Sequence, residues 1–220
     1  MTTTTSALEA VDVAARAAGL TLTEPFAHPR WRRALELLAT FNAQTNLVGA
    51  ADPTSVCTNH LLEAVALASA LRGEGGRLGH AVDVGAGAGL EALALAWCRD
   101  ELAITALEPR RKRAGFIRLA ADALGLAGRL RVEQRTLAAY CKTDPTPCDL
   151  ATSRAVFPPG RWLDEASGLG PRLVAAHASA ATRDRFWTVA ARADGWQRRA
   201  SVAVAGRADR VVLLFGREHA

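Results

Sequence analysis

The 220-residue chain has no apolar run longer than the seven residues Ala92 to Cys98. About 20 are needed to cross a bilayer, so no membrane-spanning helix is expected. The opening Met-Thr-Thr-Thr-Thr-Ser has no basic start and no apolar stretch, which points to a frayed tail rather than a signal peptide. Four cysteines, Cys57, Cys98, Cys141 and Cys148, form no CxxC pair and have no histidine at ligand spacing. That excludes the usual metal and disulfide frameworks and suits reduced thiols in the cytoplasm. Lysine is nearly missing, since 25 of the 27 basic residues are arginine. Such usage is typical of a GC-rich genome, so the net charge of +5 only modestly favours an acidic partner such as nucleic acid.

What is present suffices for one α/β core, half of the residues being hydrophobic. Residues 1–77 read as helices without a sheet: an apolar stripe over 7–19 ended by Gly19, a second led by Pro29, and a third starting at Asp52-Pro53 and running to Leu71. The glycines at 73, 75 and 76 link this helical cap to a second unit, 78–220. There, strands are expected near 80–85, 102–107, 129–133, 148–153, 171–176, 196–204 and 210–216. Helices are expected near 89–98, 110–124, 160–168 and 182–193. Alternation of this kind predicts a mostly parallel sheet covered on both faces, and the hairpin spacing around Gly206 makes the last strand antiparallel.

The chemistry is concentrated in Asp83-Val-Gly85-Ala-Gly87-Ala-Gly89-Leu90, an apolar strand entering three alternating glycines. A second strand ends in Glu108, nineteen residues past Gly89. Glycines let the backbone approach a nucleotide and the acid takes ribose hydroxyls, so an adenosine-containing ligand is expected. Gly87-x-Gly89-x-x-Ala92 also fits a dinucleotide fingerprint, and the glycines alone do not decide. Asp83 two residues before Gly85, bulky Leu90-Glu91 where a pyrophosphate needs a bare helix N-terminus, and the closing hairpin favour S-adenosylmethionine.

With the cap included, the chain resembles the bacterial small-subunit (16S) ribosomal RNA guanine-N7 methyltransferases, the glucose-inhibited division protein B family. The resemblance rests on Phe41-Asn42, Asn46-Leu47, Asp52-Pro53, His60-x-x-Glu63, Asp83 to Leu90, Lys112-Arg113 and Ser153-Arg154-Ala155. It implies a seven-stranded class I methyltransferase (Rossmann-like) sheet with an N-terminal helical cap. It also implies donor contacts at Gly85, Leu90 and Arg154, an adenine framed by the main chain of Leu137-Ala138, and ribose on Glu108. Activity would be N7-methylation of a guanine in small-subunit ribosomal RNA, free or in a ribosomal particle, by a cytoplasmic monomer with no metal. Guanine N7 offers a lone pair and no proton, so no general base is required. The alternatives are a same-fold methyltransferase with another substrate, and a silent RNA-binding or assembly protein that keeps the pocket.

The departures from the family lie mostly on the substrate side. Glu91-Ala92 stands for Pro-Gly, Ala51 and Asn59 for arginines, His177-Ala178 for Lys-Gly, and Ala208-Asp209-Arg210 for Glu-Arg-His. If His177 takes the lysine's place beside the target base, it is charged only near or below an ordinary pKa of about 6.5, and activity falls between about pH 6 and 8. His60 reads equally as a pocket residue or a hydrogen-bonded core histidine. Arg110-Arg111-Lys112-Arg113 open a helix, where the macrodipole disfavours cations; phosphate binding and a solvated charge run are both open. Of the five tryptophans, Trp31, Trp97, Trp187 and Trp196 suit the core and Trp162 suits a base-stacking platform. Phe157-Pro158-Pro159-Gly160 is similar to the Asn/Asp-Pro-Pro-aromatic box of amino-group methyltransferases, but it lacks the leading amide and reads as a turn before a helix.

Overall fold

A computed structural model describes residues 3–75, 77–143, 145–154, 156–190 and 195–217. Helix α1 (Thr3–Ala17) already includes most of the threonine tract, which is therefore helical rather than frayed; Met1 and Thr2 lie outside the described residues. Its buried stripe, Leu8, Val11, Asp12 and Ala15, includes an acid. Asp12 accepts the N–H groups of Phe26 (2.6 Å) and Ala27 (3.0 Å), so a buried carboxylate fixes the path from α1 to α2. Helix α2 (Pro29–Thr45) starts with Pro29 in its first turn. It ends at Asn46 in the left-handed region (φ 49°), while the Asn42 side chain accepts the Val48 N–H at 2.8 Å. Both asparagines of the cap motif thus shape a helix end.

The third cap helix is interrupted. Asp52 caps α3 (Pro53–Val56), a π-helical turn spans Cys57–Leu61, and α4 (Leu62–Ala70) follows. The wider turn holds one residue more than an α-helical one, so Asn59 and His60 do not follow simple helical spacing, a distortion common at functional sites.

The strands are β1 (His80–Val84), β2 (Ala103–Leu107), β3 (Leu130–Glu133), β4 (Leu150–Ser153), β5 (Leu173–Ser179), β6 (Trp196–Val204) and β7 (Arg207–Arg217). They form one sheet in the order β3-β2-β1-β4-β5-β7-β6, with β7 antiparallel to both neighbours. All seven expected strands are found. The intervening helices are α5 (Leu90–Cys98), α6 (Arg111–Leu124), α7 (Leu137–Cys141), α8 (Pro159–Ser167) and α9 (Arg183–Ala190). The short α7, capped by Thr136, was not expected, because five residues give no helical periodicity. The final residues of the expected 182–193 helix, 191–193, lie outside the described residues, as do Ala155 and the Trp187 side chain.

Period-two alternation sorts the strands onto two cores. Ala81, Ile104, Leu150, Ala175 and Leu214 face the cap helices, α5 and α6. Val82, Val84, Ala151, Val174 and Phe215 face α7, α8 and α9. A ring cluster joins α2 to α5, with Trp31 5.3 Å from Phe26 and edge-on to Trp97 at 5.9 Å. Cap helices and sheet therefore share one apolar core. Among the described residues no helix is long and apolar enough to cross a membrane, and no cluster of three metal-ligating side chains occurs.

Candidate functional site

At the C-terminal edge of β1 the chain turns sharply, and the N–H groups of Gly85 and Ala86 both bond to the Leu107 carbonyl (2.9 and 3.0 Å). Gly85, Gly87 and Gly89 all have left-handed φ, from 63 to 72°. A Cβ on Gly85 would strike the Val156 side chain, and one on Gly89 would strike Ile117 at 2.8 Å. On Gly87 it would meet only the Gly85 carbonyl at 3.9 Å, which leaves it projecting into open cavity. Glu108, 3% exposed, holds the loop from β2, accepting from Gly87 N–H (2.9 Å) and Arg110 N–H (2.8 Å).

Two cavities flank this loop and share Gly85, Arg113 and Val156. One, of about 450 Å³, is lined by Val84, Leu107, Glu108, Thr136, Leu137 and Phe157. Its apolar walls and the Glu108 carboxylate suit an adenosyl group. The other, of about 330 Å³, is lined by His60, Asp83, Ala88, Leu90, Glu91 and Arg154. Gly85, Gly87, Leu90, Glu108, Leu137, Asp83 and Arg154 thus all line one or other of two adjoining cavities. Gly89 stands behind them against Ile117, and Ala138 follows Leu137 in the first turn of α7 without lining them. The basic run divides: Arg110 and Arg113 line these cavities, while Arg111 and Lys112 are exposed.

The floor of the second cavity is a buried ionic cluster. Register places Asp83 of β1 beside Thr152 of β4, and parity puts His177 of β5 on the same, otherwise apolar face. Glu91 from α5 and Glu63 from α4 close over it. His177 Nε2 lies 2.7 Å from Glu91 Oε2, and its Nδ1 lies 3.5 Å from Glu63 Oε2. Arg154 Nε lies 2.9 Å from the same Glu63 oxygen, and the Thr152 hydroxyl donates to Glu91 at 2.6 Å. Arg154 also donates to His60 Nδ1.

Burial alone would lower the His177 pKa, but Glu91, with Glu63, outweighs it and raises the value. Burial would likewise raise Glu91, yet His177, Thr152 and Arg154 hold it below the usual carboxylate range. His60 is pushed down to about 3 by burial and by Arg154, so it is neutral, with its proton on Nε2.

Two expectations need correction. His177 does not stand free beside a base with an ordinary titration; its side chain is 4% exposed and both ring nitrogens face carboxylates. Trp162 is no stacking platform. It is 2% exposed, donates from Nε1 to the Ala175 carbonyl at 2.7 Å, and is covered by Phe157 in a stack (5.5 Å, 11°). The aromatic residue that sequence reasoning missed is therefore Phe157, which separates the adenosyl-sized cavity from a third one of about 300 Å³. This third hollow, beyond the ends of β4 and β5, is lined by Ser153, Phe157, His177, Ser179, Thr182 and Arg210. Nearby, Arg207 of the hairpin donates to the Asn59 side chain, which brings a guanidinium to a cap position where the chain has no arginine of its own. Complementary charges at 91 and 177, both departures from the family pattern, were the one signal in the sequence for the buried pair.

Residues 28–164 match the family model for rRNA small subunit methyltransferase G. A ribosomal RNA small subunit methyltransferase G of Rhizorhabdus wittichii is 35% identical over 118 residues, 54% of this chain and 52% of that protein. Its counterpart from Salinispora tropica is 32% identical over 156 residues, covering 67% and 62%. The chain spans about half the length of the first curated relatives it matches. Among solved structures, a Bacillus cereus O-methyltransferase in complex with SAH superposes with a TM-score of 0.61 at 16% identity, over 97% of this chain and 100% of that one. A ribosomal protein L11 methylase from Lactobacillus delbrueckii gives 0.53 at 18% identity, over 70% and 77%. At such identities the likeness concerns the fold, which is that of the class I methyltransferases.

Proposed function

The chain belongs to the rRNA small subunit methyltransferase G family, and on that footing we propose that it transfers a methyl group from S-adenosylmethionine to N7 of a guanine in small-subunit ribosomal RNA. What carries this reading is the pair of adjoining cavities on the glycine loop, each with an acid in its wall, and a third cavity beyond Phe157. Glu108 keeps lone pairs for ribose hydroxyls after holding two amides, since an ionised carboxylate offers about four acceptor sites. Leu137, Leu107 and Phe157 sandwich the adenine, and Asp83 and Arg154 take the charged amino-acid end. The donor, when bound, supplies an electrophilic methyl on a sulfonium.

The acceptor guanine enters the third cavity past the edge of Phe157, with Arg210, Ser179 and Thr182 as donors to its edge. Its N7 lone pair forms the new N–C bond as the S–C bond breaks, with that electron pair leaving on sulfur, and no proton moves. Catalysis then rests on in-line placement and the exclusion of water. This suits a site whose buried His177–Glu91 pair is already engaged with itself. Arg111 and Lys112, exposed at the start of α6, contact phosphate, and one chain provides the whole site, as expected for a cytoplasmic monomer.

Calorimetry tests the donor half: S-adenosylhomocysteine binds and NAD does not, whereas NAD binding without S-adenosylhomocysteine would restore the dinucleotide reading. One observation favours a second reading, a same-fold methyltransferase with another acceptor. The charge at 177, on the wall of the cavity proposed for the acceptor, is paired with Glu91 and Glu63 rather than left free for the substrate.

A further inference from the structure

The buried cluster holds more acids than it has cations for. Arg154 is engaged by Glu63 and His177 by Glu91, at 2.9 and 2.7 Å. Glu108 satisfies both oxygens with main-chain amides. His60 is neutral and spends Nδ1 on Arg154. That leaves Asp83, 3% exposed, whose Oδ2 is buried with no partner among the described residues. It lines the same cavity as Glu91 and Arg154. As an ion, Asp83 would add a carboxylate to a desolvated cluster whose two cations are already engaged, Arg113 on the same cavity not being among the charges that bear on it, and such a charge is neutralised rather than kept. Burial, Glu91 and Glu108 together outweigh Arg154 and hold its pKa well above the ordinary carboxylate value.

Building on the proposed use of S-adenosylmethionine, we infer that the amino-acid end of the donor binds by exchanging its ammonium for the Asp83 proton. The free protein holds Asp83 as the neutral acid. The incoming ammonium supplies the missing cation, Asp83 ionises, and one proton leaves to solvent. The sign follows from linkage: a group whose pKa falls on binding makes affinity rise with pH until the pH passes the free-state pKa. Affinity for any ligand with that ammonium therefore increases up to about tenfold per pH unit below that point. A ligand with the adenosyl part alone shows no such dependence.

The test is calorimetry on the full chain at pH 6 and 7 in phosphate, PIPES and imidazole buffers, whose ionisation enthalpies differ widely. The slope of observed heat against buffer ionisation enthalpy counts protons. S-adenosylhomocysteine should release protons, by a fraction that rises toward one at the lower pH. Methylthioadenosine, which lacks the amino-acid end, should bind more weakly and release none. Asp83→Asn, verified as folded by circular dichroism, should remove the release with S-adenosylhomocysteine. Binding of S-adenosylhomocysteine without proton release, or equal release with methylthioadenosine, would overturn the exchange and leave the cofactor assignment standing. Failure of the wild-type protein to bind S-adenosylhomocysteine would overturn both.

Discussion

Replacing His177 by leucine should unfold the protein far more readily than loss of a surface histidine would. The substitution keeps bulk in an apolar layer but removes the cation between Glu91 and Glu63, each less than 10% exposed. Breaking a buried pair by deleting one partner costs about 3–5 kcal/mol, because the remaining charge is left uncompensated. For a chain of this length that is a fall in Tm of about 6–20 °C. The penalty also has a pH signature. The folded pKa of His177 is raised, so its contribution is complete below its ordinary 6.5 and fades as pH rises through the raised value. That of Glu91 is lowered, so its share holds above the ordinary 4.5 and is lost as pH falls through the lowered value. The wild-type–variant gap in urea denaturation should accordingly be widest near pH 6 and narrow toward pH 9. Adding Glu91→Gln, which leaves Thr152 an acceptor, should recover about 1 kcal/mol or more of the loss. A single-variant cost under about 1 kcal/mol, or strict additivity in the double variant, would refute the buried pair.

Other consequences can be checked separately. Gly87→Val should leave the fold intact by circular dichroism yet abolish S-adenosylhomocysteine binding, since the new side chain occupies the cavity and the residue must hold φ at 63°. Reversing Arg111 and Lys112 to Glu should weaken RNA binding and flatten its salt slope by about 1.4–1.8 with donor affinity unchanged. Arg113→Glu, by contrast, should lower donor affinity, because Arg113 lines both donor cavities. Arg210→Ala should raise the KM for RNA several-fold while donor titrations stay the same. Because His177 is held charged above its ordinary range, wild-type activity should show no histidine-like fall between about pH 6 and 7, in contrast to what an exposed histidine would give.

The sheet was legible because alternation and turn residues determine strands locally, and the antiparallel β7 followed from the short spacing around Gly206. The residues around the glycine loop were legible for a similar reason: Gly85, Gly87 and Leu90 follow the end of β1, and Glu108 follows the end of β2. The substrate side was not. His177, Glu91 and Glu63 come from β5, α5 and α4, and nothing local says that they meet across a sheet face. The π turn at Cys57–Leu61 likewise has no periodic signature, so the direction of His60 and Asn59 could not be read from helical spacing. Trp162 was misread because spacing placed it correctly on the loop side of β4, while burial by Phe157 depends on a turn whose shape the sequence does not display.

Methyl transfer itself tests the central claim most directly. Small ribosomal subunits from a strain lacking the corresponding gene, incubated with the protein and isotopically labelled S-adenosylmethionine, should yield labelled 7-methylguanosine at one position of the 16S RNA by mass spectrometry. Labelled methyl on another atom or another molecule, or none with S-adenosylhomocysteine binding intact, would contradict it.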